Sequence, residues 1–309
     1  MSITLYTHPA MLGHQPGPEH PERPERLAAV LEALEAAEDL RLERREAPHV
    51  TVEELLRVHR REYVEAITHA SPRHGLIRLD DDTWMSAGSL DAARRAAGAV
   101  VAAVRDVAAG RIDRAFCAVR PPGHHAEPET FMGFCIFSNV AVGARAAQDA
   151  GIGRIAVVDF DVHHGNGTQA AFSGQEGLFF ASVQQWPMWP NSGHPRQPHA
   201  ANIANAIVAP GASPEQWRSA FESVLERVDA WGPDLIMVSA GFDAHAHDPI
   251  GGYEGQSLTE EDFAWATAAI MSVARSRTKG RVVSALEGGY DLAALARSAV
   301  THVRALQEG

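Results

Sequence analysis

Cysteine is scarce in this sequence, which argues against a zinc finger and against a disulfide-stabilised fold. The 309 residues contain two cysteines, Cys117 and Cys135. They form no Cys-x-x-Cys or other zinc-finger spacing, and they imply no disulfide framework. Cys117 lies in an apolar run and is expected to be a small buried side chain.

Positive charge and long apolar segments are also lacking. The 27 Lys and Arg residues are outnumbered by 39 Asp and Glu residues, which gives a net charge of −12. This balance argues against nucleic-acid or anionic-membrane partners, since both need a basic face. An acidic surface favours a cationic substrate, although a charge that only maintains solubility is an equally good explanation. No apolar run approaches the ~20 residues of a membrane span. No signal peptide is expected, and a cytoplasmic location is predicted.

The remaining composition is that of a globular α/β protein. Hydrophobic residues make up 45% and charged residues 21% of the chain, with no internal repeat. Apolar runs alternate with amphipathic stretches, which predicts a single domain over residues 1–309 with a parallel sheet covered by helices. The predicted strands are Ile3–Tyr6, Ala115–Val119, Ile155–Phe160, Leu178–Val183, Leu235–Ala240 and Val282–Leu286. The predicted helices are Glu25–Ala37, Val52–Val58, Glu62–His69, Ser89–Ala109, Asn139–Ala150, Pro214–Asp229, Thr259–Arg275 and Leu292–Ala305.

Polar clusters follow four of the predicted strands. They are Arg120–His125, Asp161–His164, Gly241–Asp243 and Glu287–Tyr290. In open parallel sheets, ligands bind beyond the carboxyl ends of the strands. The four clusters are therefore expected to meet at one edge of the sheet.

Two carboxylates and an imidazole lie on one side of the third predicted strand. Side chains alternate along a strand, so Asp159, Asp161 and His163 are predicted to point the same way. Asp243, at the end of another strand, can supply a further ligand. Three protein ligands with open positions are typical of a catalytic metal site, whereas structural zinc is usually closed by four. The alternative, a hydrogen-bonded polar cluster, explains one such residue better than four aligned strand ends.

Two further elements carry candidate chemistry. His124 and His125 follow a Pro-Pro-Gly turn, and adjacent imidazoles can bind metal or transfer protons near neutral pH. Because the carboxylates already account for a metal, the acid–base role is preferred. Tyr290 follows Gly288-Gly289, and its phenol can donate to a developing oxyanion. A tyrosine that only caps a strand edge is the alternative.

These segments resemble the motifs of zinc-dependent histone deacetylases and their bacterial relatives, which include histone deacetylase-like amidohydrolases and acetylpolyamine amidohydrolases. The resemblance rests on His20–Leu27 (HPERPERL), Arg120–Ala126 (RPPGHHA), Gly133–Phe137 (GFCIF), Asp159–Thr168 (DFDVHHGNGT), Ser239–Asp243 (SAGFD) and Glu287–Asp291 (EGGYD). It implies the arginase-deacetylase fold, an α/β domain around an eight-stranded parallel sheet.

The resemblance also implies a role for each matching residue. It makes Asp161, His163 and Asp243 the ligands of Zn²⁺, which Fe²⁺ can replace. His124 and His125 become the histidine pair, with His125 preferred as the main acid–base group, and Tyr290 becomes the oxyanion donor. Asp159 is expected to orient His124 and to help bind a structural K⁺ ion. Asn166 takes the place of an Asp in some relatives, which matches a class II pattern and leaves a cationic His125 less stabilised.

A substrate tunnel is implied as well. Phe134 and Trp189 are its expected aromatic walls, and Gly133, Gly289 and Ile250 are its expected neighbours. The rim departs from the common pattern, because Gln184 and the stretch Pro190–Gly193 replace a His and a Pro-Gly-Thr-Gly sequence. The substrate is therefore left open between an acetylated lysine peptide and a small acetylated amine.

Ile250 favours acetyl-lysine, since some polyamine-selective relatives have Glu at this position. Other carboxylates are candidate partners for a second amine: Glu19, Glu22 and the run Asp80–Asp82, of which the run is better explained as solvated surface. Three alternatives are kept beside the lysine deacetylase: an acetylpolyamine amidohydrolase, an arginase-like two-metal ureohydrolase and a catalytically silent acetyl-lysine binder. A homo-oligomer is compatible with all of them.

Overall fold

A twisted parallel sheet forms the centre of the computed structural model, which describes residues 2–251 and 255–309. The strands in these residues are, in chain order, β1 (Ile3–Thr7), β2 (Leu42–Glu46), β3 (Leu76–Arg78), β4 (Trp84–Ser86), β5 (Arg114–Cys117), β6 (Ile155–Asp159), β7 (Leu178–Gln185), β8 (Ile203–Val208), β9 (Leu235–Ala240) and β10 (Val282–Leu286). Eight of them make one sheet in the order β2-β1-β5-β10-β9-β6-β7-β8, and every neighbouring pair is parallel. β3 and β4 form a separate antiparallel pair. The predicted eight-stranded parallel sheet is confirmed.

Helices cover both faces of this sheet. They are α1 (Pro24–Ala36), α2 (Val52–Leu55), α3 (Arg61–Ala70), α4 (Ser89–Ala108), α5 (Asn139–Asp149), α6 (Asn166–Phe172), α7 (Pro214–Trp231), α8 (Glu260–Arg277) and α9 (Leu292–Glu308), with a short 3₁₀ helix at Pro9–Gly13. Helices α4 and α5 pack together on one face, and α1, α9, α8 and α7 form a row on the other. Among the described residues, no helix combines the length and the hydropathy that crossing a membrane requires.

Local sequence explains where the longer helices begin and end. Ser213 caps α7 through a reciprocal box with Gln216, Pro214 occupies the first turn, and Gly232 closes the helix in a left-handed conformation with φ of 73°. Thr259 and Asp262 make the corresponding box for α8. Both helices were predicted from the sequence, one from Pro214 and the other from Thr259, and both are confirmed.

The sequence-based assignment missed both edge strands. β2 reads Leu-Glu-Arg-Arg-Glu and is largely exposed, so it lacks the apolar signal of the buried strands. Charged side chains on an edge strand discourage pairing with other chains, which accounts for such a composition. β8 contains an Asn and is only partly buried. The four strands that precede the polar clusters, β5, β10, β9 and β6, are adjacent in the sheet.

Candidate metal centre and tunnel

Three potential metal ligands converge beyond the ends of β6 and β9. Carboxylate oxygens of Asp161 and Asp243 and a ring nitrogen of His163 lie within 4.8 Å of one another, and all three residues are buried. His163 Nδ1 is 3.1 Å from both Asp161 Oδ1 and Asp243 Oδ2. Within residues 2–251 and 255–309, this is the one group of His, Cys, Asp or Glu side chains with metal-binding geometry.

The electrostatics of this group fit a small divalent cation. Burial and the neighbouring Asp161 raise the pKa of Asp243 to about 7, because two carboxylates at this distance repel each other. Burial lowers the pKa of His163, but its hydrogen bonds with Asp161 and Asp243 outweigh burial and raise the pKa to about 10. The cluster therefore stabilises positive charge, and oxygen and imidazole donors are ones that zinc accepts.

Gly288 makes room for the two carboxylates. A Cβ atom at this position would lie 2.3 Å from Asp243 Oδ2 and 2.5 Å from Asp161 Oδ2, so no other residue fits without displacing them. The Gly288 N–H donates to Asp161 Oδ2 at 3.0 Å. Val162 N–H donates to Asp243 Oδ1 at 3.0 Å. Backbone donors thus hold both carboxylates in place.

The histidine pair lies beside this group, and each ring has a different partner. The two ring centres are 3.9 Å apart. Nδ1 of His124 lies 3.0 Å from Asp159 Oδ2, and Nδ1 of His125 lies 2.8 Å from Asn166 Oδ1. The Asn166 amide is oriented by its own donation to Glu127 Oε1 at 2.8 Å, so an acceptor faces His125. His125 Nδ1 then carries the proton, and Nε2 is left free to accept one.

Neighbouring residues shift the pKa values of the two histidines in opposite directions. Burial lowers the pKa of His124, but the nearby carboxylates of Asp161 and Asp159 outweigh burial and raise it well above its usual value. Burial and the neighbouring His124 lower the pKa of His125 well below its usual value. A neutral His125 beside a charged His124 suits a base and its electrostatic partner.

Glu287 anchors the loop that carries the histidines. Its Oε2 accepts from Gly123 N–H at 2.6 Å and from His124 N–H at 3.2 Å, while Oε1 accepts from Ser239 Oγ at 3.1 Å. Glu287 is fully buried. It joins the ends of β5, β9 and β10, a role that the sequence pattern does not reveal although Glu287 opens the last motif.

Arg26 supports the loop that carries Tyr290. Its Nε and Nη2 atoms donate to the carbonyls of Gly289 and Glu287, each at 2.5 Å. The guanidinium carbon lies 4.7 Å from the centre of the Tyr290 ring. Burial raises the pKa of Tyr290 well above its usual value, so the phenol keeps its proton and remains a donor. Sequence reasoning assigned no role to Arg26, which lies more than 260 residues from its partners.

Asp248 fixes two loops at once. Oδ2 accepts from Tyr290 N–H at 2.6 Å and from Asp291 N–H at 3.3 Å, and Oδ1 accepts from Ile250 N–H at 2.9 Å and Gly251 N–H at 3.1 Å. The side chain is 2% exposed. Sequence reasoning assigned no role to Asp248 and did not foresee this contact with Tyr290.

A cavity of about 180 Å³, which we call the tunnel, lies beside His163, His125 and Tyr290. Its lining consists of Asp82, His125, Gly133, Phe134, His163, Trp189, Ile250 and Tyr290. The ring of Phe134 meets Tyr290 edge-on at 5.7 Å, and Trp189 meets His125 edge-on at 4.7 Å. Trp189 is 38% exposed and therefore belongs to the rim.

Two glycines expected at the tunnel have different environments. Gly133 has φ of 57°, and a Cβ there would lie 2.5 Å from both the His125 and Trp189 rings, so its lack of a side chain keeps the cavity open. Gly289 is not among the residues that line the cavity, and a Cβ atom at this position would point towards Leu295 and Phe242. Its carbonyl is instead the acceptor for Arg26.

The acidic residues that were candidate partners for a second amine also lie in different environments. Glu22 is fully buried and bound by Arg120 at 2.8 and 2.9 Å, by Arg26 at 3.1 Å and by His14 at 3.2 Å. Glu22 therefore cannot contact a substrate, and its candidacy as the partner of a second amine is wrong. Asp82 lines the tunnel, and it accepts from Gly133 N–H at 3.1 Å.

Comparison with known proteins identifies a family for this chain. A family model described as the histone deacetylase domain matches residues 20–306. The chain is 37% identical over 261 residues to a histone deacetylase-like amidohydrolase of Pseudomonas aeruginosa, covering 81% of this chain and 67% of that protein. It is 40% identical over 252 residues to the type-2 histone deacetylase 2 of Dictyostelium discoideum, covering 74% of this chain but only 14% of that much longer protein.

A solved structure supports the fold. The crystal structure of the HDA15 HD domain superposes with a TM-score of 0.92 at 32% identity, covering all of this chain and 90% of that domain. The architecture is therefore the arginase-deacetylase fold that the motifs implied. With a domain match over nearly its whole length and relatives in bacteria and eukaryotes, the chain belongs to the histone deacetylase family.

Proposed function

We propose that this protein uses a zinc ion bound by Asp161, His163 and Asp243 to hydrolyse the acetyl-amide of acetylated lysine or a related acetylated amine. Membership of the histone deacetylase family supports a hydrolase that acts on acetylated substrates. One observation carries the more specific proposal. His163, one of the three converging ligand residues, lines the same cavity as His125 and Tyr290.

A divalent ion at this position supplies Lewis-acid polarisation of the acetyl carbonyl and lowers the pKa of a nearby water. The side chains supply the remaining steps. Nε2 of His125 accepts a proton from the attacking water, since its Nδ1 is committed to Asn166. The Tyr290 hydroxyl donates to the carbonyl oxygen as negative charge develops there. The histidine pair then returns a proton to the leaving amine.

The tunnel walls fit an alkyl stem that ends in an amide. Phe134 and Trp189 exclude water from the stem, and Ile250 adds an apolar wall where a charged residue would attract a second amine. The family resemblance further supports a structural K⁺ ion near Asp159. The K⁺ proposal predicts a higher Tm in KCl than in NaCl at equal ionic strength, and identical values would contradict it.

Metal analysis and a deacetylation assay on the same preparation test the proposal. We expect one zinc or iron per chain; elemental analysis distinguishes these two metals, and anaerobic purification keeps Fe²⁺ from being oxidised and lost. We also expect hydrolysis of an acetyl-lysine peptide that a chelator abolishes and Zn²⁺ restores. Two metals per chain would favour a ureohydrolase, and full activity in the chelator would contradict the mechanism.

A conservative variant of Tyr290 tests its catalytic role separately from metal binding. Tyr290→Phe keeps the ring and removes only the donor, so kcat should fall by about 10²–10³, as for other oxyanion donors. Metal content should not change. A metal-loaded wild-type protein that is inert towards acetyl-lysine peptides, acetylspermidine and acetylputrescine would support the silent binder instead.

A further inference from the structure

A second pocket opens beside the tunnel. Its volume is about 510 Å³, and it shares Phe134 and Asp82 with the tunnel lining. The two cavities are therefore neighbours, and a peptide residue next to a side chain in the tunnel lies near this pocket. The pocket includes residues of the N-terminal loop and of the turn between β3 and β4.

The walls of the pocket are apolar and fixed in place. Pro16, Pro18, Pro21 and Trp84 contribute to them. His20 ties the two loops together, because its Nε2 lies 2.9 Å from the carbonyl oxygen of Asp82 and its ring meets Phe134 edge-on at 4.8 Å. Since prolines restrict the backbone of the N-terminal loop, the pocket requires little ordering when it binds a ligand.

Carboxylates lie among these apolar walls. Glu19 and Asp81 both line the pocket and are exposed, and Asp82 lies at the boundary with the tunnel. Arg78 pairs with Asp81 at 2.5 Å, whereas within the described residues Glu19 has no ion-pair partner. The local charge is therefore negative, in line with the net charge of −12 for the whole chain.

We propose that this pocket binds the side chain of a Lys or Arg residue directly next to the acetyl-lysine. Such side chains place an aliphatic stem on apolar surface and keep a charged end in water, which matches apolar walls beside exposed carboxylates. Successive α-carbons are about 3.8 Å apart, so a neighbouring residue reaches the pocket while the acetyl-lysine occupies the tunnel. This inference rests on the proposed deacetylase function and names the preferred substrate class.

Three peptides that differ at one position test the inference on the metal-loaded enzyme. The position next to acetyl-lysine is Arg, norleucine or Glu, and a matching set varies the position on the other side. We expect kcat/KM to follow the order Arg, norleucine, Glu in at least one set. The ratio between Arg and Glu should be about tenfold, as expected for two exposed ion pairs.

Two double variants with the same change in net charge distinguish an effect of the pocket carboxylates from an effect of the overall charge of the protein. Glu19→Gln with Asp81→Asn should reduce the Arg-to-Glu ratio to about threefold or less, the loss of most of two exposed pairs. Glu222→Gln with Glu226→Gln changes two exposed carboxylates on α7 and produces the same shift in net charge. This control should leave the ratio near its wild-type value.

Each outcome decides the inference. A reduced ratio in the first variant alone supports it. Equal ratios in both variants, no preference for Arg, or a preference for norleucine over Arg would overturn it while leaving the deacetylase proposal intact. If no peptide is hydrolysed by metal-loaded enzyme, the deacetylase proposal and this inference fail together.

Discussion

Replacing Asp248 with Asn tests how the structure holds Tyr290 in place. The carboxylate accepts two backbone N–H groups on each oxygen, from Tyr290 and Asp291 on one side and Ile250 and Gly251 on the other. An amide has one acceptor oxygen, so its NH₂ group must face one of these pairs of donors. One loop therefore loses its anchor in Asp248→Asn, whichever way the amide points.

The magnitude follows from these contacts. Leaving a buried N–H unpaired costs about 1–3 kcal/mol, so losing two of them costs roughly 2–6 kcal/mol if the loop does not relax. Relaxation moves the Tyr290 loop, and the expected loss in kcat is about 10–100-fold, which is below the 10²–10³ for removing an oxyanion donor outright. Metal content should stay at the wild-type level, because within the described residues the Asp248 carboxylate accepts hydrogen bonds only from the backbone of other residues and from none of the three ligands.

Steady-state kinetics on single and double variants check this reasoning. If Asp248 acts through Tyr290, Asp248→Asn should lower kcat little further in a Tyr290→Phe background. Asp291→Asn is the matched control, since Asn remains a good cap for α9 and kcat should be preserved. A kcat within twofold of wild type for Asp248→Asn, or a double variant that loses the full product of both effects, would refute the positioning role.

Three further predictions follow from other contacts. Gly133→Ala places a Cβ 2.5 Å from the His125 ring, so kcat/KM for acetyl-lysine peptides should fall by more than tenfold, and a fall below twofold would count against the tunnel assignment. Asn166→Asp puts a carboxylate beside His125 and raises the pKa of that ring, so the acidic limb of the kcat/KM profile should move to higher pH; an unmoved limb would argue against His125 as the base. Burial opposes ionisation of Glu22, but the nearby Arg120 outweighs burial and holds the pKa of Glu22 well below its usual value. The stabilisation that ionised Glu22 contributes is therefore present above the ordinary carboxyl pKa and is lost as pH falls. Glu22→Gln should lower the free energy of unfolding by about 3–5 kcal/mol at neutral pH and by less in acid, and denaturant titrations at both pH values will show whether the difference narrows.

Local patterns in the sequence were sufficient for the centre of the fold. Six buried strands have continuous apolar runs bounded by Gly, Pro or Asp, and all six are present in the sheet. The edge strand β2 was missed because half-exposed strands carry charged residues that resemble a loop. The short helix α6 was missed because its Gly-Asn-Gly start has little helix propensity and no apolar period.

The sequence by itself predicted which side chains converge at the candidate site. Residues that follow parallel strands meet at one edge of the sheet, so Asp161, His163 and Asp243 were predictable from strand ends and alternation alone. Asp161 and His163 follow β6 and Asp243 follows β9, so each lies where a buried parallel strand ends.

Only the tertiary structure decided how these side chains are held and what lies around them. Arg26 reaches the Tyr290 loop across more than 260 residues, and Asp248 joins two loops through backbone N–H groups that no residue pattern identifies. The pocket beside the tunnel likewise requires two loops from distant parts of the chain. Contacts of this kind depend on the packing of elements far apart in sequence, so short-range periodicity carries no record of them.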